Sequence, residues 1–148
     1  MAGNTGGVKS YRDLIVWQKA FDLSLSVYRA TRGFPKDEVY GLRSQMRRAA
    51  ISVPSNIAEG YGRRTTAEYT RALNIAYGSN CELETQLLLA KELGYIPASE
   101  HGRLSRDLAE VERMLTALRR TLVRRSSGTL DPSIPGSLGP SSVKGGSR

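Results

Sequence analysis

Apolar residues recur at helical spacing in four successive runs, separated by short stretches rich in glycine, proline and polar residues. The first run, from about Asp13 to Thr31, carries two adjacent stripes: Leu14, Trp17, Phe21, Leu25 and Tyr28 on one, and Val16, Ala20, Leu23 and Val27 on the other. Together they are wider than one helix of a simple antiparallel bundle needs. The excess predicts burial of Trp17, Phe21 and Tyr28 against another subunit, with capping of the bundle edge by the aromatics as the plainer alternative. Gly33 and Pro35 then close the helix and open a connection over residues 33–39. A second helix is predicted from about Tyr40 to Tyr61, with Leu42, Met46, Ala49, Ala50, Val53 and Ile57 inward and Gly60 and Gly62 ending it. Thr65 and Glu68 form a capping-box pattern that starts the third helix at Thr66. Within it Tyr69, Leu73, Ala76, Asn80, Leu83, Leu87 and Ala90 alternate steps of four and three, the most regular seam in the chain, ending at Gly94. Asn80 in that seam reads as a register-fixing polar contact. A fourth helix begins near Ala98 and turns Leu104, Leu108, Val111, Leu115, Leu118 and Leu122 inward.

The predicted fold is all-α, an antiparallel up-down four-helix bundle over residues 11–125. Residues 1–10 read as a flexible lead, and residues 126–148, rich in Gly, Ser and Pro, as a disordered tail.

One residue breaks the pattern. Pro54 lies inside the second helical run, where proline removes a backbone hydrogen bond and presses its ring on the carbonyl of Ala50, at a cost of about 3 kcal/mol in an ordinary helix interior. The helix is therefore expected to kink there. Ala49, Ala50, Ser52, Ser55 and Ala58 are small enough to admit another helix closely, and Ser52, Ser55 and Asn56 carry groups able to satisfy loosened backbone atoms. Arg48, Ser52, Ser55 and Glu59 line up at steps of four, three and four. This polar line is either a functional stripe or, the favoured reading, a structural network to the third helix, with Glu82 and Glu84 as partners for Arg48.

Charge adds a second theme. The chain of 148 residues has a net charge of +8, unevenly placed. Lys and Arg outnumber Asp and Glu by 7 to 3 over residues 32–64 and by 7 to 4 over residues 98–125, whereas residues 65–95 carry 2 against 4. Arg106, Arg113, Arg120 and Arg124 repeat at steps of seven, seven and four on the outer side of the fourth helix, flanked by Arg119 and Arg125. With Arg43, Arg47, Arg63 and Arg64 on and beside the second helix, they make a candidate phosphate-tracking surface, because guanidinium groups offer planar donors to phosphate. A solvated charged face, interrupted by Glu110, is the competing explanation.

Catalytic chemistry finds little support. His101 is the sole histidine and Cys81 the sole cysteine, so no catalytic residue, metal site or cofactor is expected; Cys81 reads as a core thiol and His101 as a surface residue. Glu59, Glu82 and Glu84 lack the Glu-x-x-His partners of carboxylate-bridged bundles. No secretory leader or membrane-spanning run is evident, which points to a cytoplasmic protein with no membrane partner.

The stretch Arg48 to Gly60, with Tyr11-Arg12-Asp13-Leu14 and Trp17-Gln18-Lys19-Ala20 before it and Gly78-Ser79 and Glu82-Leu83-Glu84 after it, resembles the four-helix bundle proteins also known as 23S rRNA intervening-sequence proteins. The resemblance spans about residues 11–122. It implies a ring-shaped homopentamer, and similarity to the accessory variability proteins of diversity-generating retroelements, which bind a reverse transcriptase and nucleic acid. The expected function is a non-catalytic homo-oligomer that binds RNA or DNA. The alternatives are a scaffold docking a reverse transcriptase, or a purely structural oligomer.

Overall fold

The computed structural model describes residues 7–126, so the expected tail beyond Ser126 and the first six residues of the lead lie outside the described residues. Helices α1 (Ile15–Ala30), α2 (Leu42–Tyr61), α3 (Thr66–Glu92) and α4 (Ala98–Ser126) follow in order, with short 3-10 turns at Tyr11–Asp13 and Lys36–Glu38. Among the described residues there is no strand. Each helix packs on its neighbours around a square: α1 on α2 and α4, and α3 on α2 and α4.

Cross-helix pairings show that neighbours run antiparallel. Ser52 faces Ser79, and eight residues later Gly60 approaches Ala72. Asn80 reaches Leu108, and Asn74 reaches Arg119. At 27 residues, α3 is a rod of about 40 Å, which sets the height of the bundle.

The inward faces are those the periodicity requires. Val16, Ala20, Leu23 and Val27 of α1 join Met46, Ala49, Ala50, Val53 and Ile57 of α2 in one buried cluster. Leu73, Ala76, Leu83, Leu87 and Ala90 of α3 and Leu104, Leu108, Val111, Leu115 and Leu122 of α4 complete it. The second stripe of α1 divides differently. Leu14 and Trp17 pack against the core, while Phe21, Leu25 and Tyr28 are 44%, 40% and 37% exposed. The chain's own core thus takes up six of the nine residues of the wide apolar face.

Local chemistry sets the ends. Ser10 and Asp13 form a reciprocal capping box, and Lys9 also donates its backbone N–H to Asp13. At α3 the predicted box is half present: Thr65 accepts from the Glu68 amide at 3.1 Å. The far end of α3 closes with Gly94 at φ 80°, where Gly94 N donates to Lys91 O and Tyr95 N to Ala90 O. That pair of bonds is a Schellman stop, and the left-handed backbone explains glycine there. Gly60, expected to end α2, instead lies buried within it, and Gly62 is the cap. Its reason is packing: a Cβ on Gly60 would stand 2.8 Å from the Ala72 Cβ and 2.9 Å from the Tyr69 ring.

α2 continues through Pro54, which is buried. The carbonyl of Ala50 that proline leaves without its helical donor receives a hydrogen bond from Ser24 Oγ of α1 at 2.8 Å. The expected donors near Pro54 serve other groups: Asn56 Nδ2 donates to Ser52 O at 2.8 Å, and the Ser52 and Ser79 hydroxyls pair at 2.7 Å. Arg48 is exposed and pairs with neither Glu82 nor Glu84 among the described residues. Of the polar line, Ser52 joins α2 to α3 through its hydroxyl, while Ser55 is exposed and Glu59 pairs with Arg63. Asn80 is buried and donates to Leu108 O at 3.1 Å, as a register-fixing contact should.

Candidate nucleic-acid interface

Because the helices alternate in direction, the arginines predicted to share one surface divide between the two ends of the bundle. The C-terminus of α2, the N-terminus of α3, the C-terminus of α4 and the first described residues, around Val8, meet at one end. Tyr61 and Tyr69 pack edge to face there, with centroids 6.3 Å apart, and Tyr61 OH lies 3.5 Å from Val8 O. Burial, and then the neighbouring Tyr61, raise the pKa of Tyr69, while Arg125 near the end of α4 opposes them. This end carries Arg63 and Arg64 from the α2–α3 connection and Arg120, Arg124 and Arg125 from α4. From Thr116 to Ser126, α4 contains no acidic residue. Glu59 is the salt-bridge partner of Arg63, four residues away. Arg64 and Arg120 are exposed and make no hydrogen bond or ion pair among the described residues. Part of this concentration serves α4 itself, since cations in a last turn complement the helix dipole.

A polar groove lies beside it between α2 and α3, lined by Asn56, Glu59, Arg63, Glu68, Arg71, Ala72 and Ile75. Arg71 stands outside the arginine pattern visible in the sequence. It belongs to the one acidic-leaning helix, and its place in the same groove as Arg63 comes only from the pairing of α2 with α3.

Arg119 is positioned differently from its neighbours. Its guanidinium lies 4.2 Å from the centre of the Tyr77 ring and donates to Asn74 Oδ1 at 2.8 Å. Tyr77 OH in turn donates to Glu112 at 3.0 Å, a bond that raises the tyrosine's pKa. Arg119 thus fastens α4 to α3. Arg113 stands mid-helix, and Arg106 is near the opposite end, about 27 Å from Arg124 along the axis.

That opposite end holds Arg43 and Arg47 at the start of α2. Arg47 Nε donates to Thr31 Oγ1 at 2.8 Å, and its Nη2 to Tyr28 O at 3.0 Å. Its guanidinium also sits 4.3 Å from the centre of the Tyr28 ring. Nearby, Glu38 accepts from the Leu42 amide at 2.8 Å and from Tyr95 OH at 2.9 Å. Those two bonds, the amide first, hold the Glu38 carboxyl below its usual range. Glu38 therefore caps α2 and ties it to the α3–α4 connection.

Among the described residues no group of three or more His, Cys, Asp and Glu side chains could hold a metal ion. His101 is half-buried, with Nε2 3.3 Å from Ser105 Oγ. Cys81, expected in the core, is exposed. It lies next to Asn80 in sequence, and the seam passes through Asn80, so the thiol points off it; burial, Glu112 and Glu84 all raise its pKa. Among the described residues no helix is long and apolar enough to cross a membrane.

The family model described as 23S rRNA-intervening sequence protein matches residues 12–117. No curated protein matches the chain. Among solved structures, this chain is similar to a crystal structure of a protein of unknown function from the S23 ribosomal protein family of Bacteroides thetaiotaomicron VPI-5482. The two share 21% identity at a TM-score of 0.68, over 74% of this chain and 98% of the other. At that identity the likeness concerns the fold.

Proposed function

The chain belongs to the 23S rRNA-intervening sequence protein family, and from that premise we propose that it is a non-catalytic, homo-oligomeric nucleic-acid-binding protein. Its contact with RNA or DNA runs through the bundle end carrying Arg63, Arg64, Arg120, Arg124 and Arg125. The observation that supports this most is the meeting of the α2–α3 connection with the acid-free last turns of α4. Guanidinium groups from two chain segments there offer phosphate a cluster of donors that neither segment presents alone. Contacts of this kind track the backbone and carry little sequence preference.

The exposed apolar residues Phe21 and Leu25, beside Trp17, are the proposed contact between subunits in a ring, a homopentamer on the family resemblance. A bend of α2 at Pro54 would set the direction of the α2 terminus for ring closure. Repetition around a ring would multiply weak phosphate contacts into useful affinity.

A fluorescence-anisotropy titration against structured RNA, single-stranded DNA and duplex DNA at several salt concentrations tests the binding. Each phosphate contact contributes a logarithmic salt slope of about −0.9 on duplex and about −0.7 on single strands. Replacing Arg64, Arg120 and Arg124 with alanine should weaken binding and flatten the slope by about two to three units on duplex if each contacts one phosphate. An unchanged slope would remove the assignment. Undetectable binding of all three polymers would recast this end as a docking surface for an acidic protein, such as a reverse transcriptase partner.

A further inference from the structure

The opposite end of the bundle carries a groove that phosphate tracking by α4 does not use. Arg43, Arg47 and Arg48 line it together with Tyr28, Val39 and Ile51, and its volume is about 460 Å³. No carboxylate lines it. Arg43 and Arg48 make no hydrogen bond or ion pair among the described residues. Arg47 is held in place by Thr31 Oγ1 and the Tyr28 carbonyl, so its guanidinium is oriented before any ligand arrives. Ile51 and Tyr28 remain 44% and 37% exposed, leaving an apolar wall beside the charges.

We propose that this groove binds a nucleoside phosphate through a terminal phosphate monoester, set against Arg43, Arg47 and Arg48, with the nucleoside on the Tyr28, Val39 and Ile51 wall. A terminal monoester carries close to two negative charges and three acceptor oxygens at neutral pH, a compact match for several guanidinium forks. Carboxylates spread along an acidic peptide match that geometry less well. The apolar wall accounts for the remainder of the ligand, and the volume lies in the range of small-molecule sites, about 300–1,000 Å³. Burial, and then the nearby charges of Arg43 and Arg32, disfavour the charged state of Arg47, a repulsion that a bound dianion would relieve.

The same chemistry is presented by a free nucleotide and by the phosphorylated 5′ end of a strand. Calorimetric titration with adenosine 5′-monophosphate, and with one hexanucleotide bearing either a 5′-phosphate or a 5′-hydroxyl, separates these sources. Saturable binding of the mononucleotide assigns the site to free nucleotide. Binding of the phosphorylated hexamer, at least tenfold tighter than its hydroxyl form and without mononucleotide binding, assigns it to a strand end. In either case Arg43→Ala and Arg48→Ala should each weaken the binding at least tenfold; both residues are free of structural bonds, so circular dichroism should report unchanged folds. Lack of saturable binding by any probe would overturn the site, as would affinity unchanged in both variants. Equal competition by a polyglutamate peptide at matched ionic strength would overturn it in favour of an acidic protein partner. The duplex titration is independent of this one: duplex binding without any response to these probes overturns the groove and leaves strand contact at the other end standing.

Discussion

Ser24 Oγ of α1 donates to the Ala50 carbonyl of α2 at 2.8 Å, and Ala50 is the residue whose carbonyl Pro54 leaves without its helical partner. The proline defect in one helix is thereby satisfied by the next helix. Ser24 is buried, and its hydroxyl also lies 3.1 Å from Ala20 O in its own helix, so the serine stays in the helical interior while it serves its neighbour. Ser24→Ala should cost about 1–3 kcal/mol, the penalty for a buried acceptor left unmet. In a Pro54→Ala background the restored amide would supply Ala50 O from within α2, and the same serine substitution should cost less. Urea unfolding of the two single variants and the double variant measures that coupling, expected at about 1 kcal/mol. Strict additivity would show that the serine does not compensate for the proline.

Gly60 tests how tightly α2 and α3 are packed. Alanine in an exposed helix interior would gain about 1 kcal/mol over glycine. Here the added Cβ would meet the Ala72 Cβ at 2.8 Å, so Gly60→Ala should destabilise by about 1–3 kcal/mol instead. Ala72→Gly in the same chain should recover part of the loss. A Gly60→Ala protein more stable than the parent, measured by thermal or urea unfolding, would contradict the close approach.

Glu38 gives the fold an acid-sensitive point. Its pKa is lowered in the folded state by the Leu42 amide and then by Tyr95, so the folded chain binds that proton less readily than the unfolded chain. Its contribution is complete above the ordinary glutamate value of about 4.3 and is lost as pH falls through the depressed folded value. Glu38→Gln should lower the melting temperature at pH 7 and remove part of its decline below about pH 4.3. Identical melting profiles of parent and variant across pH 2–7 would exclude this role, because the ionised carboxylate accepts both bonds more strongly than a neutral acid or amide does.

Phe21 bears on assembly. It stacks on Trp17 with centroids 5.1 Å apart and stays 44% exposed in the single chain. Phe21→Glu should dissociate the proposed oligomer while leaving the helix content intact, as read by light scattering after gel filtration and by circular dichroism. A parent protein that is monomeric at the concentrations used would remove the proposal outright.

Much of the fold was legible because helix formation and helix facing depend on spacing along the chain. The seam of α3, from Tyr69 through Leu73, Ala76 and Asn80 to Ala90, and the inward leucines of α4 follow from the 3.6-residue period, and the structure buries nearly all of them. The wide face of α1 was equally visible, since two stripes at one spacing are a local property. Gly94 marked its helix end because a left-handed residue needs no partner elsewhere.

What the sequence by itself determined is therefore the number of helices, their inward faces and most of their ends. The tertiary structure decided whatever depends on distance between segments. Proline announced an orphan carbonyl at Ala50, but only the packing of α1 on α2 named Ser24 as its donor. Arg48 and Glu82 or Glu84 are partners by charge in the sequence, yet the side-chain hydrogen bond between α2 and α3 is made by Ser52 and Ser79. The arginines of α2 and α4 resembled one surface in sequence. Antiparallel packing separates Arg43 and Arg47 from Arg120 and Arg124 and brings Arg63 and Arg64 toward the end of α4, because alternate helices reverse direction and reverse with them the end to which each charge belongs.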